Sequence, residues 1–418
     1  MSEKRHVVEE TAQLYGFLRD HTAKKYPERA WRYEAIANYM EKVAKSKDTG
    51  EEVAWVNFAT IPEIFWAMDM IPISIDLMSG LAASSPEGAA EFIDLAEQYI
   101  PDYICATNKV AFGAIMDGAM PVPGMLVHPS APCDSAVTAY PLLSEHFGIP
   151  YFCIDVPYFR DERGYQYLTD ELRRLVSFLE ETTGRRLDPD KLRQTMEYSN
   201  RAHEYSQKVN QLVNSVPCPI PSIDIMLDFN AINSLAGTPQ LVEYMKTRYE
   251  TAREMVNAGR GHLAQENFRL VWVYAMPVFD WSLYSWLEEQ YGAVSISALN
   301  LFDVPPTEDV SNTDRILRGL AQKVTLEPML RECGGPWEYY ADRLEDLCRR
   351  YKADAAVFGG HIACKHTWAI ASLIKDRLYD TLGIPTLVIE MDVFDPRVAS
   401  LDAVKARLDE FLTVIMER

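Results

Sequence analysis

Two segments of this chain, far apart in sequence, repeat one order of local signals. In the first, the apolar run GMLV (124–127) leads through APCD to Cys133, then a helix-prone stretch, then HFGIPYFCIDVPYF (146–159). In the second, AAVF (355–358) leads to Cys364, another helix-prone stretch, then TLGIPTLVIEMDVF (381–394). A short apolar run bounded by turn residues predicts a strand. The Gly of each GIP tripeptide sits where a helix C-cap glycine would. Cys133 to Gly148 is 15 positions and Cys364 to Gly383 is 19. The difference of four is about one helical turn. The pattern predicts a duplicated α/β chain with two open, mostly parallel, Rossmann-like sheets.

The rest of the chain divides around that repeat. Residues 1–50 are charged and helix-prone. AWVNFA (54–59) reads as a strand, Pro62 opens a helix through EIFWAMDM, and IPISID (71–76) reads as a second strand. FRLVWVYAM (268–276), WSLYSWLEEQYG and AVSIS form the matching strand–helix–strand series. Between them, 168–184, 187–213 and 238–257 carry helical periodicity. The expected organisation is an N-terminal helical segment (1–50), a first α/β domain (51–165), a helical middle (166–265) and a second α/β domain (266–418).

Composition narrows the function classes. Net charge is −20, which repels a phosphate backbone, so nucleic acid is not an expected partner. No run of eighteen apolar residues occurs, and MSEKRHVVEE lacks the apolar core of a signal peptide, so the reading is cytoplasmic, without a membrane span. Seven cysteines in a reducing compartment are expected to be thiols, and none forms a CxxC pair.

Position separates these cysteines. Cys133 and Cys364 each fall where a strand hands over to a helix, and Cys105, in YICATNKVAFG, also enters a helix. Ligands of open α/β sheets bind at the carboxyl ends of strands. A helix N-terminus also favours the thiolate, which is the metal-ligating form. Cys153 and Cys348 read as core, and Cys218 and Cys333 as structural. His361 and His366 flank Cys364, but no second Cys or His pair completes a zinc site.

YICATNKVAFG, APCDSAVTAY, IACKHTW and the tail VIEMDVFDPRVASLDAVKARLDEFL resemble the 2-hydroxyacyl-CoA dehydratase and benzoyl-CoA reductase family, closest to its larger, alpha-type subunits. The resemblance runs from about residue 50 onward. It implies a [4Fe–4S] cluster held by Cys105, Cys133 and Cys364 in a cleft between two α/β domains, with one iron free of cysteine. It also implies an acyl-CoA thioester substrate, a smaller homologous beta subunit and a separate ATP-driven iron–sulfur activator protein. This chain itself holds no GxxxxGK[ST] motif. The implied reaction eliminates water from a 2-hydroxyacyl-CoA through a ketyl radical made by one added electron. Ring reduction of benzoyl-CoA is the alternative, and a non-catalytic electron-relay subunit the third. Alpha subunits of the dehydratases carry a serine three residues before the proline that opens the first helix, and here that position is Ala59. Thr60 beside it and Glu63 after the proline are the remaining catalytic candidates there, although a first-turn acid is commonly a solvated one.

Overall fold

The computed structural model describes residues 5–298 and 304–417. Eight strands among these residues form two sheets: β1 (Glu52–Val56), β2 (Met70–Ser74), β3 (Leu126–Pro129), β4 (Tyr151–Ile154), β5 (Phe268–Trp272), β6 (Ala293–Ser297), β7 (Ala355–His361) and β8 (Thr386–Met391). The orders are β2-β1-β3-β4 and β6-β5-β7-β8, the same topology twice. Every pairing is parallel, with Trp55 opposite Leu126 in one sheet and Val271 opposite Ala356 in the other. The α/β duplication expected from the repeat is what the chain builds.

The repeated signals act as read. The helices Asp134–Phe147 and Lys365–Leu382 end at Gly148 and Gly383, with φ of 63° and 67°. Both are left-handed caps that favour glycine. The longer second helix supplies the four extra residues. Strand bounds differ slightly: β1 stops at Val56, and 57–60 is a turn. β2 stops at Ser74, whose side chain accepts from the Leu77 amide and starts the helix Ile75–Ala83. The strand expected over 71–76 is therefore two residues shorter at its end, because a hydroxyl cap stops it.

Buried parallel strands need both faces covered. One face of the first sheet packs on the helices Glu162–Thr183 and Pro189–Val213 through Leu168, Leu172, Leu175 and Met196. The helix Thr313–Val324, which lies in sequence between β6 and β7, joins that same core through Ile316, Leu317 and Leu320. It is pinned there by Arg173–Asp314 at 2.9 Å. The second half thus lends a helix to the first sheet. No helix among the described residues is long and apolar enough to cross a membrane.

Candidate functional site

In a doubly wound sheet the crevice opens where strand order reverses, at the carboxyl ends of two neighbouring strands. Here those points are β1/β3 and β5/β7, and the two crevices open into one cavity. Asn57 and Phe58 follow β1, Asp76 follows β2, and Cys133 follows β3. Tyr274, Ala275 and Met276 follow β5, and His361 ends β7. All of them line the cavity, as does Cys105, together with Met226 and Phe229 from the helix Asp224–Leu235. Its volume is about 1000 Å³, including space open to solvent at its mouth.

Each of Cys105, Cys133 and Cys364 is the N-cap residue of its helix. Two contacts bring the halves together at these caps. The Cys105 Sγ lies 3.0 Å from His361 Nε2. Lys365, next to Cys364, donates to Asp134, next to Cys133, at 2.5 Å. The latter pair is half-exposed and contributes little stability, but it shows that the two helix starts face each other. The Ser135 hydroxyl accepts from the Cys105 amide at 3.0 Å, tying the first two cysteine-bearing turns.

The electrostatics distinguish the thiols. Burial opposes ionisation of Cys105, but the adjacent His361 imidazolium outweighs it and lowers the pKa. Burial likewise opposes charging of His361, yet Cys105 and Asp392 raise it to about 10. Each partner thus favours the charged form of the other. Cys133 is pushed up by burial and by the charge of Cys105. The buried Tyr274 hydroxyl lies 3.5 Å from Cys364 Sγ and 3.0 Å from Met329 Sδ.

Three sequence candidates thus converge, and two stand apart. Thr60 is buried in the turn after β1, and its hydroxyl has no partner among the described residues. Glu63 is fully buried rather than solvated: its carboxylate accepts from Ser199 at 2.5 Å and from Lys323. Neither lines the cavity. Ala59 is buried among the apolar side chains of the first sheet's core. His366 is exposed, whereas His361 faces the thiols.

The structure adds two residues that sequence reasoning does not single out. Asp76 accepts from the Phe58 amide at 3.0 Å and from Asn57 Nδ2 at 2.9 Å, and burial lifts its pKa to about 7. Only its place just past a strand end could have flagged it. Cys333, expected to be structural, packs with Tyr274, Met329 and Cys364 in one small cluster.

The residues present fit an iron–sulfur cluster. Thiols are soft donors suited to iron–sulfur chemistry. Among the described residues no three Cys, His, Asp or Glu side chains form a site for a single ion. A cubane asks for something else, because its ligands bind separate corners. Asn108 directs Nδ2 to Cys133 Sγ at 3.7 Å, while its buried Oδ1 has no partner among the described residues. Hydrogen bonds to the sulfur are a means of tuning such a centre.

Twin parallel sheets, with thiol-capped helices beside their switch points, define the class: a duplicated α/β chain whose two crevices share one cavity. Residues 59–415 match the 2-hydroxyglutaryl-CoA dehydratase, D-component family, and the chain belongs to it. It is 21% identical to the (R)-2-hydroxyisocaproyl-CoA dehydratase alpha subunit of Clostridioides difficile, over 92% of this chain and 95% of that one. It is also 21% identical to a benzoyl-CoA reductase subunit of Thauera aromatica, over 92% and 94%. To the (R)-2-hydroxyglutaryl-CoA dehydratase alpha subunit of Acidaminococcus fermentans it is 22% identical, over 66% and 57%.

Proposed function

We propose that this chain is the iron–sulfur subunit of an (R)-2-hydroxyacyl-CoA dehydratase, holding a [4Fe–4S] cluster through Cys105, Cys133 and Cys364. The observation that carries it is the meeting of two helix-capping thiols, Cys105 and Cys133, with the partly buried Asp76 on the wall of one apolar cavity, and the third, Cys364, behind Tyr274 of that wall. When bound, the cluster would supply a low-potential electron and a Lewis-acidic corner. The chain's own residues do the rest. Asp76, with a pKa of about 7, can hold or release a proton at neutral pH, as elimination requires at the β-carbon. Tyr274 hydrogen-bonds Cys364, and His361 fixes Cys105. A smaller homologous subunit and an ATP-dependent activator protein complete this reading, as the sources of a second cluster site and of the electron.

The cavity also speaks to the acyl group. Phe58, Leu77, Leu81, Phe229, Trp281 and Phe394 are among its walls, and among the described residues no Lys or Arg is. A carboxylate at the far end of a substrate would be buried unpaired, which is costly. The substrate is therefore a thioester with an apolar acyl group. The aromatic walls also favour a second reading, ring reduction of benzoyl-CoA.

Anaerobic assay with partner subunit, activator and ATP separates these. Expected is enoyl-CoA from phenyllactyl-CoA with catalytic electron use, at a kcat/KM at least about 10-fold above that for 2-hydroxyglutaryl-CoA. Stoichiometric electron consumption with benzoyl-CoA, and no turnover of any hydroxyacyl-CoA, would establish the second reading instead.

A further inference from the structure

A cubane has one more corner than Cys105, Cys133 and Cys364 can serve. The hydroxyl that could stand near it is absent at Ala59, whose methyl is buried in the first sheet's core. Among the remaining cysteines, Cys153 lies on the edge strand β4, Cys348 within the helix Trp337–Tyr351, and Cys218 beside Ile220. Only Cys333 packs in the cluster with Cys364, Tyr274 and Met329. It is also close enough to Cys364 and Cys133 to interact electrostatically with both.

The segment that delivers Cys333 is held from several sides. It is one short helix, Leu330–Cys333, entered through Met329 at φ 69°, a left-handed conformation costly for a residue with a long side chain. Glu332 accepts from the Met329 amide at 2.7 Å and is itself paired with Arg331 and, at 3.7 Å, with Arg343. Arg160, from the first half, donates to the carbonyls of Leu330 and Arg331 at 2.9 and 2.7 Å. These polar side chains brace the backbone and leave Cys333 packed on the small cluster that contains Cys364.

We infer that Cys333 supplies a fourth protein thiolate to this centre, ligating in the resting protein the iron that Cys105, Cys133 and Cys364 leave free. This rests on the assignment of a [4Fe–4S] cluster to those three cysteines. Four thiolates make the resting centre closed, so water and oxygen find no vacant corner. A substrate can take that place only after Cys333 has moved aside, and the exchange of one ligand for another transfers no electron. Cys333 is thus a gate on the site as well as a ligand.

The test uses the full chain, loaded anaerobically with iron and sulfide, and cyanide as the probe of an open iron. The expected wild type carries about four irons per chain and shows an electron paramagnetic resonance spectrum of the reduced centre that cyanide leaves unchanged. Cys333→Ala should keep its iron and give a spectrum that differs from wild type and shifts with cyanide. Cys333→Ser should keep its iron and differ from both. A wild-type spectrum that itself shifts with cyanide overturns the inference while leaving the three-cysteine cluster standing, and this outcome does not depend on any variant folding. A Cys333→Ala spectrum identical to wild type overturns it too. Wild-type protein that takes up no iron overturns both assignments together.

Discussion

A carboxyl group in a thiol-lined cavity must choose between charge and neutrality, and Asp76 is balanced between them. Burial raises its pKa to about 7, against the two hydrogen bonds it accepts from Phe58 and Asn57. Its folded value therefore exceeds its unfolded one. The protonated form is the one the fold prefers, so that contribution is full at acid pH. It is lost as pH rises from about 4 through about 7. Asp76→Asn should abolish this slope. At pH 8 the variant is expected to be more stable than wild type by about 1–3 kcal/mol, with the difference vanishing near pH 4. Denaturant unfolding of the cluster-free chain at the two pH values measures it. Equal gaps at both would show that Asp76 does not titrate in that window. If Asp76 also moves the substrate proton, the variant must lose turnover while keeping its iron.

At the scale of elements, the buried charge under the first helix after β1 needs its own explanation. Glu63 lies in the first turn of Pro62–Ala67, Lys323 near the end of Thr313–Val324, and Glu327 just beyond it. Burial opposes the Glu63 charge, but Lys323 and Ser199 hold its pKa below the usual range, while Glu327 is raised to about 7 by burial. The nearby His203 is kept neutral by burial, at about 3. This network fastens the helix lent by the second half to the first sheet. Removing one partner leaves a buried charge, so Lys323→Met should destabilise by about 3–5 kcal/mol. Glu63→Gln with Lys323→Met should recover much of that. A double-mutant cycle by chemical denaturation decides. Additive losses would mean that the two side chains do not act as a pair.

The same scale shows what the sequence can and cannot disclose. The strand–Cys–helix–GIP series is legible because its signals are local: an apolar run, a cap, a periodic helix, a glycine. The α/β duplication and two of the three capping thiols, Cys133 and Cys364, follow from it; Cys105 lies outside the series. Glu63 reads as a solvated first-turn acid, and is not one, because its cation lies 260 residues away, on a helix whose destination no local signal encodes. Cys333 stays hidden for a related reason. Its helix is a single turn among glycines, too short for any periodicity, and its neighbours arrive from β5 and β7.

For the whole molecule, the cavity is a joint. Its walls come from the first sheet, the helical middle and the second sheet, and the polar contacts that cross it at the cysteines are Cys105–His361 and Asp134–Lys365. The first is a thiol–imidazole contact that metal binding at Cys105 would replace, and the second is half-exposed. A cluster held by Cys105 and Cys133 on one side and Cys364 on the other would therefore be a strong cross-link between the halves. Binding energy of a metal centre becomes folding energy of the parts it joins. Loading iron and sulfide should slow amide exchange in the first turns of both helices, 134–138 and 365–369, by more than about 10-fold. Cys364→Ala should abolish that protection in 134–138 as well as in its own helix, because the link is lost at both ends. Exchange measured by mass spectrometry on anaerobic protein reads each peptide separately. Protection lost only around residue 365, with 134–138 still slow and iron still bound, would mean that the first half holds the centre alone and that the two sheets meet without it.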